Sequence, residues 1–106
     1  MDAIEAILSR RSIRKYKKKP VSQKLVRDLL EIAMSAPSAG NEQPWHFIVI
    51  TDINILGEIP SFHNHADMLK EAALGILVCS DKNLDKHKGM WIQDCSASSE
   101  NMLIAV

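Results

Sequence analysis

Apolar and polar residues alternate along this chain in two periods, one helical and one of strand type, and their order lays out the elements. Asp2-Ala3-Ile4-Glu5 has the order of a capping box, and Ile4, Ile7 and Leu8 then form an apolar stripe on a short helix. From Arg10 to Tyr16 the pattern is that of extended chain, in which Arg10, Ser12 and Arg14 share one side. After Pro20, Ser22 is placed as an N-cap with Val21 and Val26 as a hydrophobic staple. Leu25, Leu29, Ile32 and Ala33 carry the helical spacing onward, so a helix is predicted from Ser22 to Met34, ending where Pro37 biases Ala36 out of helical space. A turn-rich polar passage, Pro37 to Trp45, follows. Trp45 to Thr51 contains the run Phe47-Ile48-Val49-Ile50, of strand length and β-branched content, which predicts a strand buried on both faces.

Gly57 and Pro60 limit the stretch from Asp52 to Pro60 to a short helical turn, and Ala66 to Ala73 is predicted helical. Leu74 to Cys79 is a second buried strand closed by a turn at Ser80-Asp81-Lys82-Asn83. A last helix begins near Gly89 or Met90, with Ile92, Cys95, Ser99, Met102 and Val106 on one face and Asp94 and Glu100 elsewhere. It carries no stop signal before Val106, and two strands make a thin sheet. The expectation is that another chain covers the missing surface or that the polypeptide is part of something longer.

Composition narrows the class. A chain of 106 residues, 46% hydrophobic and 25% charged, is that of an ordinary globular protein with room for one domain, 1–106. No apolar run nears the roughly 20 residues that span a bilayer, and Met1-Asp2-Ala3 lacks a signal-peptide plan, so a cytoplasmic protein without membrane partners is expected. Cys79 and Cys95 lie in apolar segments and are read as free thiols. His63 and His65 have metal-like spacing without a second ligand cluster, which points to a surface loop and no metal.

Net charge is zero, yet nine of the 13 basic residues lie between Arg10 and Arg27. Two guanidinium forks at Arg10 and Arg14, with the Ser12 hydroxyl between them, suit a phosphate; Lys15 to Lys19 read as a solvated run. In the polar passage, Pro37 and Pro44 stiffen the backbone, Gly40 can enter left-handed space, and Ser38, Asn41 and Gln43 offer short directed hydrogen-bonding groups. By itself such a loop is as well explained as a helix-to-strand connector. No Ser-His-Asp, Cys-His or paired-carboxylate constellation stands out. Nucleic acid is disfavoured as a partner, because no aromatic platform flanks the basic segment and the overall charge is zero.

Arg10-Arg11-Ser12-Ile13-Arg14-Lys15-Tyr16, followed after one helix by Pro37-Ser38-Ala39-Gly40-Asn41-Glu42-Gln43-Pro44-Trp45-His46-Phe47, resembles the FMN-dependent nitroreductase family. The resemblance implies a three-layer α+β fold, here shortened relative to family members, and a homodimer with FMN at the subunit interface. It implies that Arg10, Arg11, Ser12 and Arg14 hold the FMN phosphate and ribityl chain. Pro37, Ser38, Ala39, Asn41 and Gln43 would approach the isoalloxazine ring from the partner subunit. The implied activity is ping-pong hydride transfer from NADH or NADPH to a small nitroaromatic or quinone-like acceptor, with the flavin carrying the chemistry and no protein catalytic residue. The second reading is a non-catalytic nitroreductase-like dimer with weak or no flavin binding.

Overall fold

The computed structural model describes residues 2–106. Helix α1 spans Ala3–Ser9 and starts as the capping pattern requires, with the Asp2 carboxylate accepting from the Glu5 backbone N–H. Helix α2, Gln23–Met34, is capped by the Ser22 hydroxyl, which accepts from Leu25 N. Its last turn closes on Ser35, whose N–H bonds back to Glu31 and Ile32. A single 3₁₀ turn, Ala39–Asn41, leads into strand β1, Trp45–Ile50. Helix α3, Ile53–Glu58, is capped by Asp52 and runs into a 3₁₀ turn at Ile59–Ser61. The segment predicted helical between Ala66 and Ala73 is a 3₁₀ stretch, Asp67–Glu71, too short to gain α-helical cooperativity. Strand β2 is Gly75–Ser80, and helix α4 is Trp91–Ala105.

β1 and β2 pair antiparallel, with Trp45 opposite Ser80 and Ile50 opposite Gly75. α4 lies against both strands and α2 packs along α4, giving an α+β arrangement with the sheet on one side of a helix pair. Gly75 is where β2 meets α3: a Cβ there would stand 2.9 Å from Leu56 Cδ2, and Leu56 is buried. Cys79 and Cys95 are free and half-buried, the Cys95 thiol reaching the Cys79 carbonyl at 3.8 Å. Burial, and then the neighbouring Asp94 and Cys79, push the Cys95 thiol up from its ordinary pKa, which keeps it protonated.

One expectation about burial is corrected. The β1 strand is not covered on both faces, because Ile48 and its cross-strand partner Leu77 are each 51% exposed. On α4 the apolar face turns outward. Ile92 and Leu103 are half-exposed and Val106 more so, while Asp94 and Ser98, one turn apart, are buried; Asn101 follows on the same side and donates to Ile32 O of α2. Small residues, Ala33 on α2 and Ser98 on α4, are fully buried where these helices meet. Close approach leaves little room for long side chains, so the inward line is short and polar.

α1 repeats the pattern, with Ile4 72% and Leu8 71% exposed. In total 8071 Å² is solvent-exposed, against about 5,900 Å² for a compact monomer of 11.9 kDa. The radius of gyration, 14.7 Å, likewise exceeds the roughly 13 Å of a compact chain this long. About 2,000 Å² of surplus surface, much of it apolar, is the size of a substantial interface. No described helix is long and apolar enough to cross a membrane.

Candidate functional site

Residues 10–22 form no regular element and are, apart from Arg10 and Val21, exposed. Arg10 sits at the C-cap of α1 with extended backbone, and its Nε lies 3.6 Å from Glu100 Oε1 on α4. The Arg11 guanidinium turns back on the same helix end, donating from Nη1 to the carbonyls of Leu8 (3.0 Å) and Arg10 (2.8 Å). It thereby satisfies orphan carbonyls at the negative pole of α1, a structural duty. Ser12 and Arg14 have no side-chain hydrogen bond or ion pair among the described residues. Two forks, one loosely held and one free, are left pointing at solvent beside a free hydroxyl.

The Pro37–Trp45 loop is built differently. Gly40, Asn41 and Gln43 all have positive φ, 59°, 54° and 49°. Left-handed backbone is open to glycine and costs other residues about 1–2 kcal/mol each, so something must hold Asn41 and Gln43 there. Ser38 does so from within: its carbonyl accepts from Asn41 N at 3.0 Å and its hydroxyl from Gln43 N at 3.0 Å. The Gln43 amide donates to Asn41 Oδ1 at 2.9 Å. What remains for a ligand is the Asn41 amide N–H pair, the Gln43 carbonyl oxygen and the second Gln43 N–H, all on exposed residues.

Two residues outside the predicted set fix this loop to the body. Asp94 accepts from Ala39 N at 3.0 Å with one carboxylate oxygen; the other is buried without a partner, as is the Ser98 hydroxyl one turn on. Glu42, whose side chain is 7% exposed, receives Lys86 N at 3.1 Å, His87 N at 2.9 Å and the His87 ring Nδ1 at 2.7 Å. Burial alone would raise the Glu42 carboxyl, but the hydrogen bonds and charge of His87, with Lys86 N, outweigh it and hold its pKa below the usual range.

Asp94 left a faint trace in the sequence, being one of two charges in a 15-residue helix. The Glu42–His87 contact joins residues 45 apart in two polar loops and left none.

Within this chain no hydrogen bond or ion pair connects the arginine segment to the Pro37–Gln43 loop among the described residues. Each is tied separately to α4, Arg10 to Glu100 and Ala39 to Asp94, whose side chains leave the helix about 120° apart. Of three surface concavities, about 650, 530 and 550 Å³, only the first includes a predicted residue, Arg11.

A model of the Nitroreductase family matches residues 7–106. The chain is 48% identical over 105 residues to a Methanothermobacter thermautotrophicus protein provisionally named NADH dehydrogenase/NAD(P)H nitroreductase, covering 99% of this chain and 55% of that one. A similarly named Archaeoglobus fulgidus protein is 45% identical, over 98% of this chain and 60% of its own. Among solved structures, a Clostridium acetobutylicum protein described as an NADH oxidase superposes with a TM-score of 0.89 at 44% identity, covering 97% of this chain and 60% of that one. A Desulfovibrio desulfuricans nitroreductase solved in complex with FMN superposes with a TM-score of 0.85 at 34% identity, over 96% and 60% of the two chains. The chain thus spans under two thirds of the length of these relatives and has the α+β nitroreductase-like fold over that span. It belongs to the nitroreductase family.

Proposed function

We propose that this chain is the phosphate- and ring-contacting portion of an FMN-dependent NAD(P)H oxidoreductase that works as a homodimer with flavin at the subunit boundary. The observation that carries the reading is that the two motifs are chemically complementary but separate. Cationic forks stand at Arg10, loosely held by Glu100, and at Arg14, which is free, while a locked loop at 37–43 keeps free amide groups on Asn41 and Gln43. One protomer's α4 lies between their anchors, so a second copy is the natural source of the other half. The apolar faces of α1 and α4 and the surplus surface supply something to bury.

FMN fits the residues present. Its phosphate would take the forks of Arg10 and Arg14 and the Ser12 hydroxyl, while Arg11 is occupied with its own helix end. Asn41 and Gln43 would offer N–H donors to the ring's polar edge, where preorganised donors stabilise negative charge. Pro37 and Ser38 shape the loop, and the Ala39 N–H is spent on Asp94. Bound FMN would supply the redox chemistry, taking hydride from NADH or NADPH and delivering it to an electron-poor nitroaromatic or quinone-like acceptor. The chain's own part is to bind, orient and exclude water, with no nucleophile or general base required.

The test is a titration of FMN with the pure chain, followed by flavin absorbance and fluorescence, with molar mass measured by light scattering. A dimer that shifts and quenches the flavin spectrum is expected. A monomer that takes up no FMN at millimolar flavin would overturn the proposal and favour the non-catalytic reading.

A further inference from the structure

We infer that His87 is a positioning residue for the 39–43 loop, holding its left-handed turn from outside through Glu42 and against Gly40. The contact has three parts. Glu42 is a carboxylate with a 7% exposed side chain, and three N–H donors converge on it, all from residues 86 and 87. A carboxylate that far out of water needs such partners, so the loop cannot swing away without stranding it. Gly40, at φ 59°, presents its bare Cα face to the imidazole, and a Cβ there would run into the His87 ring. The ring therefore fills the space that a side chain at position 40 would take.

The segment carrying His87 is itself braced. Asp85 accepts from Gly89 N at 3.3 Å, Met90 N donates to His87 O at 3.0 Å, and Gly89 takes a positive φ of 85° just before α4 begins. Four residues into α4, Asp94 catches Ala39 N. The loop is thus pinned at both ends, Ala39 and Glu42, by one contiguous stretch, 86–94, with Gly40 and Asn41 suspended between. Glu42 and His87 lie between and beside residues whose amides are the proposed ring contacts, and the Glu42 oxygens and the His87 Nδ1 are spent on the bracing contact itself. Their role is geometric.

The inference about loop geometry stands without a ligand; its bearing on flavin rests on the reading above. The experiment is amide hydrogen exchange on the whole chain, comparing wild type with His87→Ala and His87→Asn, whose side-chain amide can replace the Nδ1 donor. Exchange in residues 39–43 is expected to quicken by about tenfold or more in His87→Ala and to return towards wild type in His87→Asn, with α2 and α4 unchanged. Equal protection in all three proteins, or quickening throughout the chain, would overturn it.

FMN titration of the same proteins separates the two proposals. A flavin dissociation constant that rises about tenfold in His87→Ala and recovers in His87→Asn is the result expected from both. Altered exchange in a chain that never binds FMN would leave the loop assignment standing and remove the flavin one. As a second check, Gly40→Ala should loosen the loop more in the wild-type background than in His87→Ala, where the obstructing ring is gone. Additive effects would count against the contact.

Discussion

Ser12 and Arg14 stand in an open segment with no hydrogen bond or ion pair to their side chains among the described residues, whereas Ser38 to Gln43 are braced by four bonds of their own, by the Asp94 carboxylate on one side and by the N–H groups of residues 86 and 87 on the other. The difference is one of when order is imposed. In the loop, left-handed backbone at Asn41 and Gln43 is stabilised during folding, so its amides are presented before any ligand arrives. In the arginine segment the same cost is deferred: long cationic side chains lose rotamer freedom only when an anion binds. Recognition of a flat ring needs the first arrangement, because direction matters. A phosphate, with many acceptor directions, tolerates the second.

The largest effects should come from breaking each half in its own way. Arg14→Ala removes an exposed fork with no hydrogen bond or ion pair among the described residues, so flavin affinity is expected to fall by about 1.5–3 kcal/mol while the melting temperature stays put. Equal FMN affinity in variant and wild type would take Arg14 out of the phosphate site. Asp94→Ala has the opposite signature. It strips the acceptor from Ala39 N in a buried position, and stability should drop by about 1–3 kcal/mol. Asp94→Asn keeps an acceptor oxygen and should recover most of that loss in a denaturant titration; if it does not, the carboxylate's charge, and not the hydrogen bond, is what the site uses.

Acid probes the same contrast without mutation. The Glu42 carboxyl titrates below its ordinary 4.5 in the folded chain, so above that pH the unfolded chain gains nothing by ionising it. As pH falls through the unfolded value, the unfolded state takes up a proton that the folded state refuses, and stability is lost until the folded pKa is passed. A melting temperature that declines below about pH 4.5 in wild type, and less steeply in Glu42→Gln, is the expected result. Parallel curves would show that the His87 contact contributes nothing across that range. Among the described residues the arginine segment has no buried carboxylate contact of this kind, its one acidic partner being the half-exposed Glu100.

How much of this was open to a reader of the sequence follows from range. Caps at Asp2 and Ser22, the stop before Pro37 and both strands depend on neighbours within a few residues, and all are where the pattern put them. The direction in which α4 faces was not legible, because Ile92 and Leu103 signal burial without saying against what. Their apolar face turns away from this chain's own core, and the polar line Asp94, Ser98, Asn101 turns in to meet α2 and the loop. Likewise Ser38, Asn41 and Gln43 were visible as polar groups, but that Ser38 is spent inside the turn is a fact of three-dimensional closure. Glu42 and His87 carry no periodicity at all.

The smallest expected effect is the most telling about Arg10, which belongs to both halves of the comparison. It faces Glu100 at 3.6 Å, with both side chains substantially exposed. An ion pair of that length in that setting is worth about 0–1 kcal/mol, so Glu100→Gln should barely move the denaturation midpoint. If Arg10 also serves the phosphate, the Glu100 carboxylate competes with the ligand for it and repels the ligand besides. Removing that charge should then tighten FMN by a few tenths of a kcal/mol, on the scale of exposed pairs, and the gain should fade at high salt. A variant that binds FMN more weakly would mean that Glu100 orients Arg10 towards the phosphate, and the ion pair would join the preorganised half of the site.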